Sequence, residues 1–221
     1  MADQGEYPGR LIAIDGTRGK DVIAAADALV ASLKERQLEC AISRFDASGL
    51  FGELSATGRG VHELSARTLA LVYAADLAFR LRWEIRPVLE AGGLVIAAPH
   101  IDSVIAIGSA HGLDEEWIRR LLRFAPKPHF RATAEEKKPG KGWKAAVDRG
   151  YGECSAAMLA SMTGKASRRA RKEAIAMLRR PRGPKVYRLA DDDVAHLAKA
   201  VIGSLLAARS RSASTPRSGR R

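Results

Sequence analysis

The stretch Leu11-Ile12-Ala13-Ile14-Asp15-Gly16-Thr17-Arg18-Gly19-Lys20-Asp21 decides the fold of this chain. Its apolar half predicts a buried strand over 10–15, and its second half predicts a glycine turn that opens a helix over 20–36. This is the layout of a phosphate-binding loop, whose working pattern is G-x-x-x-x-G-K-[ST]. Here two residues separate Gly16 from Gly19, and Asp21 stands where the pattern has a magnesium-binding hydroxyl. The loop is therefore shorter than a working one.

The composition of the chain limits the fold classes and locations that are possible for it. The chain has 221 residues, of which 46% are hydrophobic and 5% aromatic, which favours one α/β domain over an all-β fold. No apolar run is long enough for a membrane span, so we expect no membrane contact. The polar, acidic start over 1–7 does not resemble a secretory signal, and Cys40 and Cys154 are isolated. We therefore expect a cytoplasmic protein with free thiols.

Strand and helix patterns alternate along the chain. Strands are predicted at 10–15, 39–43, 94–97, 128–132 and 186–189. Helices are predicted at 20–36, 65–89, from 102, 114–123, 153–178 and 191–208, and loops at 47–60 and 134–150. This alternation is typical of a parallel sheet covered on both faces, which binds ligands at the carboxyl ends of its strands.

The net charge of +12 is concentrated in the second half of the chain. Basic residues cluster over 137–144, 165–172 and 179–185, and again in the Ser/Arg-rich tail from 209. Such clusters bind phosphates or nucleic acid in some proteins. They equally describe a solvated helix face followed by a disordered tail. The sequence leaves both interpretations open.

Several segments, in order and at consistent spacing, resemble the thymidylate kinase family of P-loop nucleoside monophosphate kinases over 10–208. They are Gly9 to Gly16, Ser43-Arg44 with Gly52-Glu53, Leu71 to Asp76 with Ile85 to Gly92, Gly93 to Ser103, and Lys185 to Asp191. The resemblance implies a three-layer P-loop NTPase-like α/β fold, with a five-stranded parallel sheet and helices on both faces. It divides the chain into an N-terminal extension (1–8), a kinase-like domain (9–208) with a lid-like basic region (134–180), and a disordered basic tail (209–221).

The same resemblance assigns candidate site residues. Nucleotide-binding positions fall on Gly16, Thr17, Gly19, Lys20 and Asp21, with Lys20 and Arg18 as candidate catalytic cations and Asp21 as a candidate magnesium ligand. Substrate-binding positions fall on Arg44, Asp76, Arg80, His100, Asp102 and Ser103. Candidate lid arginines are Arg149, Arg168 and Arg169. ATP and magnesium are the candidate cofactors.

The chemical positions depart from the family pattern. Ala98 and Pro99 replace an acid and an arginine after the third strand, and Leu77 replaces the arginine of the A-A-D-R helix. Arg80 and Arg82 lie further along that helix and are expected to face elsewhere. Phosphoryl transfer depends on positioning and charge neutralisation, so these changes predict a protein that has lost it. Such a protein would bind a nucleotide or a partner.

Two other functions stay open. A divergent but active ATP-dependent dTMP or nucleoside monophosphate kinase would use Arg18, Lys20, Arg44 and Asp102, and a nucleic-acid-associated protein would use the basic second half. Purely structural interpretations also hold for single residues. Gly16 and Gly19 would make a simple turn with Asp21 capping the helix, Arg44 would be exposed, and His100 incidental. The helix over 65–89 carries Leu69, Val72, Phe79 and Trp83, which would serve either a homodimer or core packing.

Overall fold

A five-stranded, wholly parallel sheet forms the centre of the protein. The computed structural model describes residues 7–56, 64–134, 165–180, 186–189 and 191–213. The strands run in the order β2-β3-β1-β4-β5. They are β1 (Arg10–Asp15), β2 (Ala41–Arg44), β3 (Leu94–Ala98), β4 (Phe130–Ala134) and β5 (Val186–Leu189). The predicted parallel α/β sheet is confirmed, with β4 two residues later than the sequence pattern indicates.

Helices cover both faces of this sheet because the connections change direction at β2. They are α1 (Gly19–Glu35), α2 (Leu50–Ala56), α3 (Ala66–Arg80), α4 (Arg86–Glu90), α5 (Ile101–Ala110), α6 (Glu115–Leu121), α7 (Lys165–Leu178) and α8 (Asp191–Ala213). Crossovers between parallel strands are right-handed, so the connection that runs from β1 to β2 lies opposite those that run back. Accordingly α1 packs with α8, while α5 packs with α3, α6 and α7.

The segment over 47–60 is not the predicted loop, because it contains α2. The Asp46 carboxylate accepts hydrogen bonds from the backbone amides of Phe51 (2.8 Å) and Gly52 (2.9 Å). Phe51 is fully buried, with its ring centroid 5.5 Å from that of Phe45. This capping carboxylate and buried ring stabilise a helix that the Gly/Ser-rich composition conceals.

The predicted helix over 65–89 is continuous but not uniform. Ser65 caps α3 by accepting the Thr68 amide at 3.1 Å, and a π-helical turn (Leu81–Ile85) separates α3 from α4. At the other end of the chain, α8 continues to Ala213, although the sequence predicts disorder from 209. The candidate lid arginine Arg149, Cys154 and the tail beyond 213 lie outside the described residues.

Close backbone packing fixes β1 beside the start of β3. Gly9 donates its amide to the carbonyl of Leu89, and Arg10 donates to the carbonyl of Gly93, each at 2.9 Å. A Cβ at Gly9 would lie 2.5 Å from the Gly93 carbonyl oxygen and 2.7 Å from the Leu89 Cα. Because both neighbours are backbone atoms, a side chain at this position would displace the strand.

Within the described part of the chain, no helix combines the length and apolarity that crossing a bilayer requires.

Glycine substitutions test this packing. We expect Gly9→Ala to lower the free energy of unfolding by about 2–3 kcal/mol, because the new methyl group meets fixed backbone. Gly203→Ala in α8 is the matched control, since nothing lies within 4 Å of its Cβ position. We expect that control to raise stability by about 0.5–1 kcal/mol. Urea denaturation followed by circular dichroism measures both, and equal stability of Gly9→Ala and wild type would contradict the packing argument.

Candidate functional site

The Asp15 carboxylate, at the carboxyl end of β1, organises the edge where ligands bind in folds of this type. Its Oδ1 accepts hydrogen bonds from the backbone amides of His100 and Ser103, each at 3.0 Å, and from the Ser103 hydroxyl at 2.7 Å. The Ser103 hydroxyl in turn accepts the Gly16 amide at 3.0 Å. The first amide after β1 is therefore bound to a side chain of α5.

The turn between β1 and α1 leaves little space beside its backbone. Residues 16–18 connect the two elements. A Cβ at Gly16 would lie 2.8 Å from Val22 Cγ2 and 3.4 Å from Ala134 Cβ. A working phosphate loop instead curls successive backbone amides around an anion. Here side chains of α1 and β4 pack against the turn, and they fill the space beside the Gly16 Cα.

The first turn of α1 contains its own ion pair. Arg18 Nε lies 3.2 Å from Asp21 Oδ2, and Asp21 is 7% exposed. Asp21 is in the first turn rather than at the cap position, which Arg18 occupies without a side-chain capping bond. A carboxylate here balances the positive end of the helix dipole and opposes an incoming anion. Thr17 is buried beside this pair, and Lys20 is partly exposed.

The residues after β3 place a neutral imidazole inside the protein. The Ala98–Pro99 peptide bond is cis, and His100 is fully buried. Burial, together with the positive charges of Arg80 and Arg131, lowers the pKa of His100 to about 3. Neither ring nitrogen has a hydrogen-bond partner among the described residues. The His100 carbonyl oxygen accepts the hydroxyl of buried Tyr73.

Arg80 faces the ends of β2 and β3, so the expectation that it faces elsewhere is wrong. Its side chain is fully buried and donates to Ser43 Oγ (2.9 Å), the Ser43 carbonyl (2.9 Å) and the Pro99 carbonyl (2.8 Å). Its Nη1 lies 3.8 Å from Asp76 Oδ2, one helical turn earlier. The sequence did not indicate this because the hydrogen-bond partners of Arg80 are Ser43 and Pro99, which lie 37 and 19 residues away along the chain. The guanidinium thus joins α3 to two strand ends.

Asp76 and Arg44 differ in their surroundings. Asp76 is buried, and its Oδ1 accepts the backbone amide and the hydroxyl of Ser48, each at 3.1 Å. Burial raises the pKa of Asp76, and the Arg80 charge opposes that rise. Arg44 is half exposed and pairs with Asp27 of α1. Five of the six predicted substrate residues thus have partners within the protein, and the sixth, Arg44, lies at the surface. They form three groups: Asp76 with Arg80, His100 and Ser103 with Asp15, and Asp102 with Arg131.

Arg131 of β4 is the partner of Asp102, although it was not among the residues predicted from the sequence. It is 8% exposed, pairs in register with Ala13 of β1, and donates from Nε to Asp102 Oδ2 at 2.9 Å. The sequence did contain one indication of Arg131, because it is the charged residue within the strand over 130–134.

Burial and the nearby charge of Asp102 raise the pKa of Asp15 to about 7.

Groups of three or more His, Cys, Asp or Glu residues that could hold a metal are absent from the described ranges. Asp21, the candidate magnesium ligand, is paired with Arg18 in this structure. Val22 and Ala134 occupy the space beside Gly16, so the turn does not form the amide cradle that a working loop makes around a phosphate.

No protein-family model matches the chain. It is 36% identical over 119 residues to a thymidylate kinase of Rhizorhabdus wittichii, covering 52% of this chain and 57% of that protein. It is 33% identical over 126 residues to a probable thymidylate kinase of Thermococcus kodakarensis (53% and 62%), and 26% identical over 122 residues to a probable thymidylate kinase 2 of Saccharolobus solfataricus (55% and 57%). The chain thus spans less than two thirds of the length of these curated relatives.

These similarities confirm the resemblance stated from the sequence: the chain is thymidylate kinase-like over about half its length. With the five-stranded parallel sheet, they also confirm the α/β P-loop kinase-like fold.

The pH dependence of stability tests the Asp15 network. A raised pKa means that the folded state holds the Asp15 proton more tightly than the unfolded state, so stability falls as the pH rises from the ordinary aspartate pKa of 3.8 to the folded pKa of about 7. We expect the Asp15 carboxyl to cost wild type stability between about pH 4 and 7 and little more above it, and we expect Asp15→Asn to lack this loss. Urea midpoints at each pH measure this, and parallel profiles of the two proteins would show that Asp15 titrates normally.

Proposed function

We propose that this chain is a thymidylate kinase-like protein that has lost phosphoryl transfer and acts as a nucleotide- or partner-binding protein. The observation that carries the proposal is the turn after β1. Residues 16–18 connect strand and helix, and Val22 and Ala134 fill the space beside Gly16. A loop that cannot curl around a β-phosphate loses the electrostatic stabilisation on which the transfer depends.

Other positions support the same proposal. The guanidinium of Arg80 is bound to the carbonyls of Ser43 and Pro99, and that of Arg131 to Asp102. Buried arginines that already have internal partners are poorly placed to follow the charge of a transferring phosphoryl group. Ala98 and Leu77 carry no charge for that purpose. Loss of one arginine contact costs about three to five powers of ten in rate in phosphoryl-transfer enzymes.

The alternative is a divergent active ATP-dependent dTMP or nucleoside monophosphate kinase. Lys20 favours it, because its partly exposed side chain lies in the first turn of the helix that follows β1. Arg18 and Asp102 would have to leave Asp21 and Arg131, their partners in this structure. ATP and magnesium are its cofactors under this alternative.

A transfer assay separates the two proposals. We expect purified protein with ATP and magnesium to phosphorylate dTMP, and the other nucleoside monophosphates, no faster than a Lys20→Ala variant. Coupled ADP release and separation of labelled products measure the rate. Leu206→Ala, at an exposed position on α8, is the control for a surface change far from the turn. Turnover in wild type and in Leu206→Ala that Lys20→Ala abolishes would contradict the proposed loss of activity.

The partner that we propose is a second copy of this chain, held through the outer face of α3 and the π-helical turn. Leu71 is 47% exposed, Phe79 40% and Trp83 64%, at positions eight and four residues apart. Such spacing places the three side chains along one stripe of a helix. An exposed apolar stripe of large residues is typical of an interaction surface.

Substitution of the largest residue tests this dimer. We expect Trp83→Lys to raise the dimer dissociation constant about 30-fold or more, the usual effect of removing a central tryptophan from an interface. Leu206→Lys is the matched control, because Leu206 is 60% exposed on the distant helix α8. Sedimentation velocity over a concentration series measures the constant. A wild type that stays monomeric throughout would refute the homodimer.

The nucleic-acid alternative rests on the outer face of α7. Arg169 and Lys172 are exposed there, while Ala170, Ala174 and Leu178 face the protein, and Arg179 and Arg180 are exposed just after the helix ends. Arg169 is paired with Glu173 at 2.9 Å, which is also what a solvated helix face shows. This face supports the alternative less directly than the turn after β1 supports the proposal above.

A further inference from the structure

A groove lies along the last strand of the sheet, away from the Asp15 network. Its volume is about 560 Å³, and its walls are residues 186–188 of β5 and one side of α8. Asp193, His196 and Lys199 form the helical wall, three residues apart and therefore on one side of the helix. The volume is within the range of protein ligand sites.

The groove passes over the edge of β5 rather than along one face of the sheet. Successive side chains of a strand point to opposite faces, yet three consecutive residues of β5 line the groove. β5 is the terminal strand of the sheet, and no described strand pairs with its outer side. The lining residues therefore surround backbone groups that are able to accept another strand.

The walls of the groove carry an excess of positive charge. Arg188 of β5 and Lys199 of α8 are exposed and supply two positive charges. Asp193 is the carboxylate among the lining residues, and it lies 3.8 Å from His196 Nδ1. A ligand with negative side chains therefore meets favourable charges from both the strand and the helix.

We propose that this groove binds an extended acidic peptide segment of a partner protein, which adds to β5 as a sixth strand. Main-chain hydrogen bonds to β5 supply affinity, and acidic side chains at alternate positions reach Arg188 and Lys199. β5 has four residues, so the pairing covers about 13 Å of the peptide. The groove contains none of the residues discussed for phosphoryl transfer, so the inference does not depend on the proposed function.

Peptide binding to the full chain tests the proposal. The probe is a fluorescein-labelled peptide of four Val-Glu repeats, measured by anisotropy at low salt. We expect binding that slows amide hydrogen exchange in the segment 186–189, as a paired strand edge requires. We expect Arg188→Glu combined with Lys199→Glu to weaken binding about tenfold. Lys172→Glu is the matched control, because Lys172 is an exposed lysine on α7, and we expect it to leave binding unchanged.

Four results would overturn the proposal. Equal binding of a peptide of four Val-Lys repeats would show that charge does not select the ligand. Unchanged binding of a Val-Glu peptide with alternate backbone nitrogens methylated would show that no strand is added. Stronger binding of an oligothymidylate, lost in the same double variant, would assign the groove to nucleic acid. The absence of exchange protection at 186–189 with millimolar peptide would also exclude the site.

Discussion

The hydrogen bonds of the Asp15 carboxylate join the carboxyl end of β1 to the residues that follow β3. One oxygen of this side chain accepts from two amides at the start of α5 and from the hydroxyl of Ser103, which accepts the Gly16 amide. These bonds therefore hold the end of β1, the following turn and the start of α5 together. Burial of such a group without these partners would cost several kcal/mol, so the network and the fold depend on each other.

The charged residues of this edge largely satisfy one another. Arg18 pairs with Asp21, Arg131 with Asp102, and Arg80 with the backbone of Ser43 and Pro99. In a phosphoryl-transfer enzyme, cations of this kind face the phosphates of the substrate. Here internal partners stabilise the protein by taking the place that ligand charges would have. The same interactions that hold the scaffold together thus support the loss of the reaction that we propose above.

Two outer surfaces of the protein could each bind another protein chain, as proposed above. The apolar stripe with Trp83 and the groove beside β5 lie at opposite edges of the sheet. The stripe is next to edge strand β2, and the groove is at edge strand β5. Both are built on regular elements, a helix and a strand, which hold their side chains in fixed positions. The fold does not depend on catalytic function, because α1, α5 and the strands bury a common core.

The sequence by itself determined the alternating strands and helices, because hydrophobic periodicity is a local property that residues such as Leu11 and Ile12 show directly. It also determined which family pattern the chain follows and where that pattern is broken, at Gly16–Gly19 and Ala98–Pro99. It did not reveal α2, whose cap at Asp46 and buried Phe51 act through contacts. Only the tertiary structure decided that Arg80 and Arg131 turn inward, because their partners lie 19 to 37 and 29 residues away along the chain. Burial and charge pairing depend on which residues the fold brings into contact, and hydrophobic periodicity does not indicate those contacts.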